Sequence, residues 1–179
     1  MAYPAPIIMP YHGIRPRCHE RSLVVPSAVV IGDVELGEEA SIWFNTTVRG
    51  DDGPIRIGAR SNIQDNSVVH VSDVQATLIG EEVTIGHAVH LHACVLEDRC
   101  LIGSGAIVLD GATVETGAQV AAGALVSPGK TVKSGELWAG VPAKKLRDLS
   151  SEEIALIRDF ALWYIKEMNE YLEEFNKSP

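Results

Sequence analysis

Residues 96–132, LEDRCLIGSGAIVLDGATVETGAQVAAGALVSPGKTV, carry an aliphatic side chain at every sixth position: Leu96, Ile102, Val108, Val114, Val120, Val126 and Val132. Four residues after most of these stands a small one, Cys100, Ala106, Ala112, Ala118 and Ala124. A helix would need apolar spacings of three and four, and a lone amphipathic strand a spacing of two, so neither explains a sustained six. Each hexad is therefore one short strand plus a corner. Three hexads close a triangular coil of about eighteen residues, with aliphatic side chains stacked inward and small residues in the tight corners. The same beat extends upstream through Val24, Val30, Leu36, Ile42 and Val48, then Ile57, Ile63 and Val69, with Ala28, Val34, Ala40 and Thr46 at the small positions. The predicted class is an all-β solenoid, a parallel β-helix prism.

The hexads with glycine in second place, Ile31-Gly32, Leu36-Gly37, Ile57-Gly58, Ile79-Gly80, Ile85-Gly86 and Ile102-Gly103, resemble those of the left-handed β-helix family, and only this resemblance implies left-handed winding. After Val132 the beat stops. Ser150-Ser151-Glu152-Glu153 offers a capping box, and Ile154, Ile157, Ala161, Tyr164, Met168, Tyr171 and Phe175 follow at helical spacing. The expected organisation is a β-helix over 1–149, with 1–20 as a cap for an open solenoid end, and a C-terminal α-helix over 150–179 packed on the prism.

The 179 residues are 46% hydrophobic, enough for one domain with a substantial core. With 24 acidic against 15 basic residues and a net charge of −9, the chain lacks the basic face that nucleic acid or an anionic membrane would require. Prolines at 4, 6 and 10 interrupt the N-terminus where a signal peptide would be continuously apolar, and no stretch reaches the length of a membrane span. The three cysteines, Cys18, Cys94 and Cys100, cannot all pair and are read as reduced and buried in a cytoplasmic protein.

Chemistry is sought where the beat breaks. One break is the insertion Arg49-Gly50-Asp51-Asp52-Gly53-Pro54, another is Ser72-Asp73-Val74-Gln75-Ala76-Thr77, and the third is a one-residue slip between Ile85 and Leu96 that contains His87, His90 and His92. His70 and His92 are one coil plus a short loop apart, so they should stack on adjacent coils. His87 precedes His92 by five residues and lies about one corner away, out of reach of the other two within one chain. In a threefold assembly a corner of one prism meets a face of the next, and three imidazoles could meet there. Three neutral imidazoles with an open fourth position suit a catalytic Zn²⁺, and their nitrogens suit Fe²⁺ or Co²⁺ as well.

The run Arg49-Gly50-Asp51, then Asn62-Ile63-Gln64-Asp65 with Val68-Val69-His70, then Ile85-Gly86-His87 with Leu91-His92-Ala93-Cys94, resembles γ-class carbonic anhydrases over nearly the whole chain. The resemblance implies a homotrimer in which His70 and His92 of one subunit and His87 of its neighbour hold the metal. Such an ion lowers the pKa of bound water to about 7, and the resulting hydroxide converts CO₂ to bicarbonate. By resemblance Gln64 orients the hydroxide and Asn62 the CO₂. Arg49 contacts product and joins Asp51 and Asp65 in interface salt bridges, and Tyr164 lies near the metal. The family's proton-shuttling glutamates are replaced here by Asp52 and Asp73, each one methylene shorter. His90 matches an aliphatic family position and is not assigned to the metal; His12 and His19 have structural readings only.

Two other classes fit. The run Trp138-Ala139-Gly140-Val141-Pro142-Ala143-Lys144-Lys145-Leu146-Arg147 also resembles hexapeptide acyltransferases, in which Lys144, Lys145 and Arg147 would suit the phosphate of coenzyme A. A metal-binding relative with latent carbonic anhydrase activity, or with thioesterase activity, is the third.

Overall fold

The computed structural model describes residues 4–177. The first three residues of the expected N-terminal cap and the last two of the C-terminal segment lie outside the described residues. Between them the chain winds as a three-faced prism of parallel strands, most only two or three residues long.

The first face carries the inward ladder Val30, Val48, Val69, Leu91, Val108 and Val126. The second carries Leu36, Ile57, Ile79, Leu96, Val114 and Val132, and the third Val24, Ile42, Ile63, Ile85, Ile102, Val120 and Trp138. Nearly all of these are completely buried, because each side chain stacks on its equivalents in the coils above and below. Val24 and Trp138, in the end coils, are only partly covered. Leu91 belongs to the first ladder although it sits within the slipped interval. The corner residues Ala28, Ala40, Thr46, Cys100, Ala106, Ala112 and Ala118 are fully buried too.

Strands Val29–Leu36 and Thr47–Ile57 run unbroken around the corner between the first and second faces. Onto Val29–Leu36 the N-terminal segment adds Ile7–Met9 and Arg17–Cys18, both parallel. Cys18 corrects the expectation that all three cysteines are buried: it lies in the outermost strand, with no further coil to cover it, and is exposed, whereas Cys94 and Cys100 are buried.

Helix α1, Ser151–Asn176, lies over the third face. Its N-cap Ser150 accepts from the Glu153 amide, and the Glu153 carboxylate accepts from the Ser150 amide at 2.9 Å, closing the capping box. Ile157, Ala161 and Met168 are its buried residues, and Tyr164 and Tyr171 meet the Trp43 ring edge-on at 5.3 and 5.2 Å. Among the described residues no helix is long and apolar enough to cross a membrane.

Candidate metal centre

All three breaks in the beat fall on one corner, that between the first and second faces. Its ladder intervals are six residues from Val30 to Leu36 and from Val108 to Val114, nine from Val48 to Ile57, ten from Val69 to Ile79, and five from Leu91 to Leu96. The slip is thus confined to the turn after His92, where Ala93 takes a left-handed φ of +46° and the corner is one residue tighter than its neighbours. Two coils bulge here and the third is drawn in.

His92 and His70 are direct register partners, their ring centroids 5.2 Å apart, and Arg49 stands next in the same column. His70 Nε2 lies 3.0 Å from Asp51 Oδ1 and 3.9 Å from Asp52 Oδ2, and the donor atoms of these three residues all lie within 4.8 Å of one another. Burial works against the charged form of Asp51, yet its contacts with Arg49 and His70 hold its carboxyl below the ordinary value. On the far side, His92 Nδ1 meets Asp110 Oδ1 at 2.7 Å. The spacing could have disclosed Asp110, which follows His92 by eighteen residues, one regular coil.

His87 lies on a different corner, between the third and first faces, with its side chain half exposed and Nδ1 2.8 Å from Asp65 Oδ2. It does not join His70 and His92 within the chain, and Asp65 pairs with it rather than with Arg49. His90 shares the strand His90–His92 and stacks parallel to His92 at 6.3 Å; burial first, then the neighbouring His92 and His70, hold its pKa below the usual histidine value.

Asn62 and Gln64 point outward from the third face beneath α1. Gln64 Nε2 donates to Asn62 Oδ1 at 3.2 Å, and Asn62 Nδ2 donates to Thr84 Oγ1 at 3.1 Å, so Asn62 is wholly taken up by its neighbours and buried. Gln64 also reaches an open groove of about 510 Å³ formed with Leu156, Phe160, Trp163 and Tyr164. Burial, then the carboxylate of Asp65, push the Tyr164 hydroxyl up to about 12. Asp73 is exposed in its loop, without an ion pair among the described residues, and Asp52 is more than half exposed. Burial pushes the Cys94 thiol up to about 12 and raises Cys100 further, which leaves neither a nucleophile at neutral pH.

The donor chemistry suits a divalent ion. A ligating imidazole characteristically has its other ring nitrogen fixed by a carboxylate, and Asp110 and Asp65 supply that contact to Nδ1 of His92 and His87, leaving each Nε2 available.

A prism of six-residue hexads, three to a coil, defines the hexapeptide-repeat class, here with imidazoles stacked at an interrupted corner. No protein-family model matches the chain. A solved structure of a hexapeptide transferase family protein from Anaplasma phagocytophilum superposes with a TM-score of 0.90 at 46% identity, over 92% of this chain and 98% of that one, and the prism is a left-handed β-helix of the same kind. The chain is 41% identical over 165 residues to a carbonic anhydrase of Geobacillus kaustophilus, 92% of this chain and 91% of that protein. It is 48% identical over 155 residues to γ carbonic anhydrase 1, mitochondrial, of Arabidopsis thaliana, covering 83% of this chain and 56% of that longer protein. The chain belongs to the γ-class carbonic anhydrase family of hexapeptide-repeat proteins.

Proposed function

We propose that this protein is a metal-dependent carbonic anhydrase interconverting CO₂ and bicarbonate at the interfaces of a homotrimer. The ion, Zn²⁺ in this reading, is held by His70 and His92 of one subunit and His87 of the next. The observation that carries the proposal is the pair of carboxylate contacts, Asp110 to Nδ1 of His92 and Asp65 to Nδ1 of His87, each leaving Nε2 without a hydrogen bond among the described residues, on two different corners. Binding at His70 exchanges its contact with Asp51, whose carboxylate Arg49 keeps occupied.

A divalent ion on three neutral imidazoles supplies the Lewis acidity that lets water attack CO₂ near neutral pH. The other roles fall to side chains. Gln64, its amide nitrogen turned toward Asn62, presents its side chain to the groove where it can orient a reactant, while Asn62 acts by holding Gln64. Arg49 supplies a cation for bicarbonate beside the histidine column. Asp52, close to His70 and open to solvent, passes the proton to buffer; Asp73 is the second such carboxylate.

The transferase reading is weakened by the closing run. Strand Lys144–Asp148 folds back antiparallel on Glu136–Ala139, Lys145 is held by Glu136 and Asp148, and Arg147 grips Glu153 with both terminal nitrogens at 2.7 Å. Of the three cations suited to a coenzyme phosphate, only Lys144 is outside an ion pair among the described residues. The apolar groove beside Gln64 favours a thioester as a second substrate class for the same site.

Metal analysis of protein purified without chelators, with stopped-flow CO₂ hydration under reducing conditions and zinc, iron or cobalt supplied, tests this reading. The expected result is about one ion per chain and hydration that depends on it. A metal-free protein that transfers an acyl group from coenzyme A would overturn it.

A further inference from the structure

The third corner of the prism, between the second and third faces, carries neither His87 nor the His70–His92 column. Its coils place Arg21, Glu39, Arg60, Glu82 and Arg99 in a column of alternating charge. Successive corners are linked by backbone hydrogen bonds from Arg60 to Glu38, Glu82 to Ala59 and Arg99 to Glu81. Arg21 pairs with Glu38 and Glu39, and Arg60 with Glu81 and Glu82 at 2.8 and 3.1 Å. The next two residues in the column are Gly117 and Gly135, both with left-handed φ near +70°; they leave room for Ile154 of α1, which lies 3.5 Å from where a Gly117 side chain would begin.

The alternation therefore ends on a cation. Arg99 makes no ion pair or side-chain hydrogen bond among the described residues, in a chain with 24 acidic groups. Across the cleft, Arg158 of α1 touches Glu82 only through Nε, at 3.2 Å, and Glu82 is nearly buried and already shared with Arg60. One carboxylate thus serves two guanidiniums while a third has none. Arg99 and Arg158 line an open pocket of about 450 Å³, together with Thr116 and Ser134. The two hydroxyls already donate, to Glu97 and to the Thr116 carbonyl, so recognition falls to the arginines. Asp159 also lines the pocket but pairs with neither arginine among the described residues.

We propose that this corner pocket is an anion site that takes a phosphate group between Arg99 and Arg158. Two planar guanidiniums supply forked N–H donors that match the oxygens of a dianion, and a bound phosphate continues the alternation one step beyond Arg99. The pocket volume leaves space for the organic part of a phosphate ester. The site stands apart from the proposed metal centre, so its occupancy does not depend on that reading.

The test is a titration of the full-length protein at constant ionic strength, following the arginine Nε–H resonances, with inorganic phosphate, glycerol phosphate, bicarbonate and chloride in separate arms. Phosphate should shift the Arg99 and Arg158 signals saturably while chloride leaves them in place. Tighter binding of glycerol phosphate would assign the site to phosphate esters, and equal binding to free phosphate. Arg99→Gln should weaken the phosphate response at least tenfold, and Arg158→Gln, which leaves Glu82 with Arg60, is the second variant. Shifts that merely follow ionic strength, an undiminished response in both variants, or bicarbonate binding as tightly as phosphate would overturn the proposal.

Discussion

A methyl group added at Gly58 would lie 2.4 Å from the carbonyl carbon and oxygen of Gly80 in the next coil, whereas one at Gly123 would meet nothing within 4 Å but would sit on a backbone with φ of +68°. The first substitution forces coils apart and the second strains one residue. Gly58→Ala should therefore cost about 1–3 kcal/mol by overpacking and Gly123→Ala about 1–2 kcal/mol by the left-handed penalty. Thermal denaturation of both variants measures the difference in kind: only the first should also perturb the amide resonances of Gly80 and Glu81. The proposed metal centre yields a second prediction at this scale. Asp110→Asn removes the charge that fixes the His92 tautomer, and a competition titration should show metal affinity falling ten- to a hundredfold. His70 and His92 were legible because their separation is one coil plus a loop, which the hexads themselves calibrate. Asp110 went unread, although its eighteen-residue offset from His92 is one regular coil, because an aspartate before glycine reads as an ordinary turn residue. Arg99 was equally silent, because the charge column it ends is assembled from five different coils.

At the level of elements, α1 is held at its start by local chemistry and along its length by packing on the third face. Ser150→Ala removes the N-cap acceptor and should cost about 1 kcal/mol, read as a lower denaturation midpoint. Glu153 adds a pH dependence. Its contacts with Arg147 and the Ser150 amide depress its pKa to about 2 from an ordinary 4.5. A depressed carboxyl stabilises the fold fully above its unfolded pKa, and that contribution is lost as pH falls from about 4.5 to about 2. Glu153→Gln should accordingly lower the melting temperature at pH 7 and make progressively less difference as the solution is acidified through that window. The capping box and the apolar stripe of this helix could be read from sequence because both are local patterns. The strands that run unbroken around a corner, Val29–Leu36 and Thr47–Ile57, could not. Their continuity depends on pairing with each other, and the second contains Gly53 and Pro54, which punctuate chains more often than they extend them.

For the molecule as a whole, the geometry of one prism limits what it can do alone. His87 lies in the turn before the short strand His90–His92 and His92 closes that strand, so the two belong to successive corners, and a nitrogen of each would have to approach one ion to about 2.0–2.1 Å. A rigid prism does not fold one corner onto another, so a site that uses all three histidines has to be completed by a neighbour. Co-expressing His87→Ala with His70→Ala chains separates this arrangement from any site within a chain. In a cyclic trimer each interface joins the His70–His92 corner of one subunit to the His87 corner of the next. Trimers of either variant alone have no intact interface. Every mixed trimer has one, where an intact His70 of the His87→Ala chain faces an intact His87 of the His70→Ala chain. With random assembly of equal amounts, three trimers in four are mixed, so about a quarter of the wild-type metal content and hydration rate should return. Sites built from all three histidines of a single chain would stay empty in every mixture, whereas a site of Asp51, Asp52 and His70 that makes no use of His87 would leave the His87→Ala protein fully loaded by itself and an equal mixture half loaded.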